Sequence, residues 1–119
     1  MFFNFGMHEH NITNAVVHAI IHECEDHNLK NPKKITVELG LLTSYKKDSL
    51  LFYFEGIKKD IAILNDAELN IIEILGKIKC KKCKKESIVE PSPLILCPLC
   101  QSANVKVLQG KDVVIKDIK

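Results

Sequence analysis

The 119-residue chain has no aromatic residue after Phe54. Phe2, Phe3, Phe5, Tyr45, Phe52, Tyr53 and Phe54 all fall in the first half, so the core of the second half must be aliphatic. No apolar run approaches the roughly 20 residues that a spanning helix needs. The start, MFFNFGMHEH, lacks the basic opening and continuous apolar stretch of a signal peptide. These absences argue against a membrane protein and for the cytoplasm, where thiols stay reduced. Charge of one sign is not in excess: the net charge is +2, so the overall balance does not mark a nucleic-acid binder. There is no phosphate-binding loop, no nucleophile paired with a base and no open catalytic metal pattern, which argues against an enzyme.

What is present is organised by hydrophobic period. Ile12, Ala15, Val16, Ala19, Ile20 and Cys24 recur at three- and four-residue steps and predict a helix over 10–28, with Asn11 or Thr13 as its cap. Asn28 and Asn31-Pro32 end it, because proline cannot continue the hydrogen-bond ladder. Residues 34–42 alternate, with Ile35, Val37 and Leu39 on one side and Thr36 and Glu38 on the other, as in a half-buried strand. Leu50, Leu51, Phe54 and Ile57 predict a second helix over 47–58, capped by Asp48. Residues 67–75 and the closing DVVIKDI read as two more strands. The predicted architecture is therefore α+β, a three-stranded sheet with two helices on one face. Residues 77–106 are an inserted four-cysteine zinc-knuckle module, and 1–76 with 107–119 form the α/β domain around it.

The insertion holds four of the five cysteines and three of the four prolines. Its spacing is Cys80-x2-Cys83-x13-Cys97-x2-Cys100. Two such knuckles make a tetrahedral four-thiolate site with metal–sulfur bonds of about 2.3 Å. So short a segment buries too little apolar surface to fold alone. Metal binding supplies the difference, on the order of 10–16 kcal/mol in comparable peptides. Four thiolates suit zinc or iron. A rubredoxin-like iron site is packed with aromatics, which this module lacks, so structural zinc is the better reading. No position is left for water or substrate, as catalytic zinc requires.

The same segment carries Lys77, Lys79, Lys81, Lys82, Lys84, Lys85 and Lys106 against Glu86 and Glu90. A zinc-ribbon that binds nucleic acid or protein is the alternative this charge raises. Four thiolates around a divalent ion sum to −2, however, and some of the lysines offset that charge. No aromatic lies beside them to stack on bases, so nucleic acid is the weaker partner.

Five histidines lie between residues 8 and 27. His18 and His22, four apart, share a helix face and have the spacing of a chelating pair, but they also read as solvated helix histidines. Cys24 falls on the apolar stripe and reads as a small core residue. Met7-His8-Glu9-His10 precedes the predicted helix, so its backbone amides are uncommitted. Backbone nitrogens beside an anchoring imidazole favour the square-planar geometry of Ni²⁺ or Cu²⁺.

Taken together, these stretches resemble the HypA family of nickel metallochaperones. The resemblance runs from Met7-His8-Glu9 through Gly40-Leu41-Leu42, Leu50 with Phe54-Glu55, Ala67-Glu68-Leu69 and the double knuckle to Gly110-Lys111-Asp112-Val113-Val114-Ile115. It implies delivery of Ni²⁺ to [NiFe]-hydrogenase precursors during maturation, with urease a further recipient in some members. The implied partners are a HypB-type GTPase, the hydrogenase large subunit precursor and urease maturation proteins, with no nucleic acid or membrane involved. The protein would act as a monomer or homodimer. It implies nickel at His8 and Glu9, with His10 beside them, and zinc at Cys80, Cys83, Cys97 and Cys100. Family members begin at the methionine, whose amine can join the nickel site. MFFNFG before Met7 removes that ligand unless translation starts at Met7, which mass spectrometry of the native protein decides.

Overall fold

The computed structural model describes the backbone from Phe5 and the side chains from Asn11 onward. Helix α1 covers Phe5–Asp26, starting well before the predicted residue 10. Asn11 and Thr13 are therefore interior residues and cap nothing. The apolar stripe is also rotated from the predicted one. Thr13, Val17, Ile20 and Cys24 form the buried line, while Ala15 and Ala19 are exposed. The 4-3-4 spacing of that line places the larger Val17 inside, and an alanine methyl has little surface to gain by burial. The helix stops in a Schellman arrangement. The Leu29 amide donates to the Cys24 carbonyl at 2.8 Å and the Asn28 amide to that of Glu25 at 3.3 Å. Asn28 takes φ 55, a left-handed position that asparagine tolerates better than most residues.

Strand β1 (Lys34–Gly40) leads through a short 3₁₀ turn to helix α2 (Lys47–Lys58). Asp48 does not cap α2. Lys46 holds the cap position without a side-chain bond, and Asp48 lies in the first turn, where a carboxylate favours the helix dipole. Leu50 and Phe54 are the buried residues of α2, and Phe54 is among the largest side chains fully removed from solvent. The remaining strands are β2 (Glu68–Ile74), β3 (Gly76–Cys80), β4 (Glu86–Val89), β5 (Val105–Gln109) and β6 (Val113–Ile118). They form two three-stranded sheets, β2-β1-β6 and β4-β3-β5. The first is the predicted sheet. The second is built on the cysteine segment and extends past both its ends, over residues 76–109, where no strand was predicted. Its strands are only four and five residues long, so their alternation is too brief to read from the sequence.

The chain forms two units. The first comprises Met1–Val37, Tyr45–Ile71 and Ile115–Lys119. Its core holds Val17, Ile20, Cys24, Ile35, Val37, Leu50, Phe54, Leu64, Ala67 and Ile71. The Lys34 amide donates to the Lys119 carbonyl at 3.1 Å and the Lys119 amide to Lys34 at 2.8 Å, which ties the start of β1 to the end of the chain. The second unit comprises Glu38–Ser44 and Ile72–Val114, and so contains all of residues 77–106. In it β3 is central and antiparallel to both neighbours, with Ile78 opposite Ser87 on one side and Val107 on the other. No helix among the described residues is long and apolar enough to cross a membrane.

One interior helical residue has no visible purpose for stability. Gly56 lies within α2, and a Cβ there would meet nothing within 4 Å. Gly56→Ala is expected to stabilise the protein by about 0.5–1 kcal/mol, since alanine restricts the unfolded chain and favours the helix. A urea midpoint that fails to rise would contradict this.

Candidate metal centre

The two cysteine knuckles share one backbone plan. In the first, the Cys80 amide donates to the Lys85 carbonyl at 2.9 Å and the Lys84 amide to the Cys80 carbonyl at 3.0 Å. In the second, the Cys97 amide donates to Ser102 at 2.9 Å and the Gln101 amide to Cys97 at 2.7 Å. Lys84 and Gln101, at the same offset, take φ 68 and φ 63. Each such position costs a non-glycine residue about 1–3 kcal/mol, a strain concentrated where ligands are aimed. The repeat is what two Cys-x-x-Cys pairs with equal internal spacing produce.

This plan turns backbone amides toward sulfur. Lys82 and Cys83 both donate to Cys80 Sγ at 3.3 Å. The amides of Leu99 and Cys100 act on Cys97 to the same end, lowering its thiol. Cys80 Sγ lies 3.5 Å from Cys100 Sγ, and Cys83 Sγ lies 3.8 Å from Cys97 Sγ. All four ligand atoms fall within 4.8 Å of one another. A tetrahedral ion with metal–sulfur bonds of about 2.3 Å sets its sulfurs about 3.8 Å apart. The donor set and its spacing therefore fit a four-thiolate ion. Cys80 and Cys97 are buried, and Cys83 and Cys100 are half-buried.

The electrostatics fit the same ion. The Cys83 amide holds Cys80 down to about 6 against its burial, helped by the Lys82 amide and the neighbouring thiols. Burial pushes Cys97 up, but the amides of Cys100 and Leu99 with two neighbouring thiols outweigh it, so it lies below the ordinary thiol range. At Cys100 the Ser102 amide pulls down, yet burial and the three other thiols raise it to about 11. Four thiols packed this closely resist ionising the last of them, and coordination to a divalent cation reverses that.

Lys77 pairs with Glu86 at 3.1 Å, while Lys79, Lys81, Lys82, Lys84 and Lys85 are exposed. Among the described residues the four cysteines are the only group of three or more His, Cys, Asp or Glu side chains close enough to hold one ion. Cys24 is buried in the other unit, where burial pushes its thiol up.

His8, Glu9 and His10 lie in the first turns of α1, and their side chains are outside the described residues. Their backbone differs from expectation. These residues do not precede the helix but belong to it, since α1 starts at Phe5. Within an α-helix each amide is committed to the carbonyl four residues earlier, so those of Glu9 and His10 are not free in this conformation.

A family model described as hydrogenase/urease nickel incorporation, metallochaperone, hypA matches residues 7–119. The hydrogenase maturation factor HypA of Shewanella baltica (strain OS223) is 35% identical over 117 residues, covering 95% of each chain. That of Aquifex aeolicus is 33% identical over 114 residues, covering 95% of this chain and 96% of its own. The solution structure of the Ni metallochaperone HypA from Helicobacter pylori shares the fold, with a TM-score of 0.69 at 19% identity over 93% of this chain and 95% of that one. With a match this long and relatives this similar, the chain belongs to the HypA family.

Proposed function

We propose that this protein is a nickel metallochaperone of hydrogenase maturation, a carrier and not an enzyme. Membership of the HypA family over residues 7–119 carries this reading. The division of labour follows from the chemistry. Cys80, Cys83, Cys97 and Cys100 hold a structural zinc ion, whose four positions are filled by protein and leave none for exchange. His8, with Glu9 and His10 beside it, holds the cargo Ni²⁺, which imidazole and backbone nitrogen suit better than a carboxylate cage would. Since the Glu9 and His10 amides belong to α1, ligation through backbone nitrogen requires its first turn to unwind, whereas ligation through imidazole does not. A site at a helix end is loaded and emptied by ligand exchange without unfolding the core behind it. The recipients are the hydrogenase large subunit precursor and, by the family description, urease, with a HypB-type GTPase as working partner. Five cysteines with no disulfide among them suit the reducing cytoplasm as the place of action.

Isothermal titration of wild type and His8→Ala with Ni²⁺, using zinc-loaded protein, tests the cargo site. The His8→Ala chain is expected to lose the tightest nickel site. Binding equal to wild type at that step would sink the assignment.

A further inference from the structure

All 17 basic residues of the chain lie at Lys30 or beyond. Helix α1 therefore contains none, yet it carries Glu9, Glu23, Glu25 and Asp26. Three of these acids crowd its last turn, where the helix carbonyls already present partial negative charge. That end of α1 attracts cations, and no side chain of the helix supplies a permanent one. On the exposed side, away from the buried line Thr13, Val17, Ile20 and Cys24, stand His18 and His22. Residues four apart on a helix have Cβ atoms about 5–6 Å apart, so two imidazoles there can converge on one ion. Metal–nitrogen bonds of about 2.0–2.1 Å are within their reach.

A second feature singles out this pair. Asp26, four residues beyond His22, places Oδ2 at 3.4 Å from His22 Nε2. With Nε2 as the donor to that carboxylate, the lone pair of a neutral ring sits on Nδ1. A carboxylate behind a ligating imidazole fixes its tautomer and the orientation of its ring. The series His18, His22, Asp26 is thus ligand, ligand and orienting acid along one face. His27, by contrast, meets Glu23 at 3.2 Å but has no histidine three or four residues away on α1. His22 is 72% exposed, so an ion reaches it directly and leaves by exchange with solvent or another ligand.

We propose that His18 and His22, with Asp26 orienting His22, form a second Ni²⁺-binding site, a bis-imidazole chelate on the open face of α1. Two protein nitrogens leave the remaining positions to water, which makes the site weaker than a full cage and quick to exchange. It rests on the nickel reading for the identity of its ion but not for the chelate itself. On the same helix as His8, it serves as a collecting or holding site for the same cargo.

The test is Ni²⁺ titration of the zinc-loaded full chain, followed by calorimetry and by the paramagnetic loss of backbone amide signals in NMR spectra. His8→Ala is expected to keep one Ni²⁺, with signal loss centred on residues 18–26. In that background His18→Gln or His22→Gln weakens the remaining site at least about 10-fold, and Asp26→Ala about 10-fold. These positions are exposed, so the variants fold. If His8→Ala binds no Ni²⁺, or if His18→Gln leaves its remaining binding unchanged, the chelate is disproved. If His8→Ala binds as wild type while the His18 and His22 variants lose an ion, the chelate stands and the His8 site falls.

Discussion

Removing the metal from the four-cysteine cluster is expected to unfold the second unit and leave the core of the first intact. The reason is the imbalance between their interiors. The first unit buries ten apolar side chains on two helices and a sheet, from Val17 and Ile20 to Phe54 and Ile71. The second removes Leu39 and Ile78 from solvent together with Cys80 and Cys97, while Ile88, Leu94, Leu96, Leu99 and Leu108 remain exposed. Two buried aliphatic side chains contribute about 3–6 kcal/mol. Ordering the backbone costs about 1–2 kcal/mol for each residue, so the four- and five-residue strands of β4-β3-β5 cannot stand on that core alone. The zinc proposed for the four thiolates would add on the order of 10–16 kcal/mol, the largest stabilising contribution available to the unit. Hydrogen exchange of chelator-treated and zinc-loaded protein reads this out. Amides of residues 76–109 are expected to lose protection by orders of magnitude, and Cys97→Ala to do the same. Metal-free protein that keeps those amides protected would show that the sheet stands without its ion.

Gly40→Ala should be the most damaging single substitution outside the cluster, at about 3 kcal/mol or more. A Cβ at Gly40 would lie 2.3 Å from the Gly110 carbonyl oxygen, 2.4 Å from its carbon and 2.8 Å from the Asp112 oxygen. All three are backbone atoms and cannot swing aside. They are also bonded there: the Gly40 amide donates to Asp112 and the Leu42 amide to Gly110, both at 2.8 Å. Relieving the clash means breaking these bonds, a mechanism that belongs to the severe tail of mutational effects. Gly110→Ala should follow closely, because Gly110 holds φ 93 and its Cβ would come 2.7 Å from Gly76 Cα. Urea unfolding measures both. Gly56→Ala, expected to act in the opposite direction, is the internal control. A Gly40→Ala protein as stable as wild type would mean that the close approach is not maintained in solution.

The parts of this protein that were legible in its sequence are those governed by local period and spacing. Leu50 with Phe54 marked α2 to its observed ends, and Ile35, Val37 and Leu39 marked β1, although Thr36 is buried too, so the strand is not the half-buried one that the alternation predicts. The two Cys-x-x-Cys pairs announced four converging sulfurs, because the knuckle is a local turn that carries its own geometry. The start of α1 was not legible, since Asn11 and Thr13 look like caps wherever they stand in a sequence. The buried face of α1 was not legible either: burial is decided by what packs against a helix, and Val16 and Val17 are equivalent until that packing exists. The sheet β4-β3-β5 was hidden because strands this brief gain their stability from partners and a metal rather than from their own pattern.

By itself, then, the sequence determined the two helices, the three strands of the first sheet, the α+β class, the four-thiolate donor set and the family, all of which depend on residue identity and short-range spacing. Tertiary structure alone decided which side of α1 faces solvent, and hence that His18, His22 and Asp26 share an open face. It also decided that Gly40 must lie against Gly110. Each of these depends on atoms brought together by packing or by a turn's closed conformation, and such distances are not contained in the order of residues along a chain.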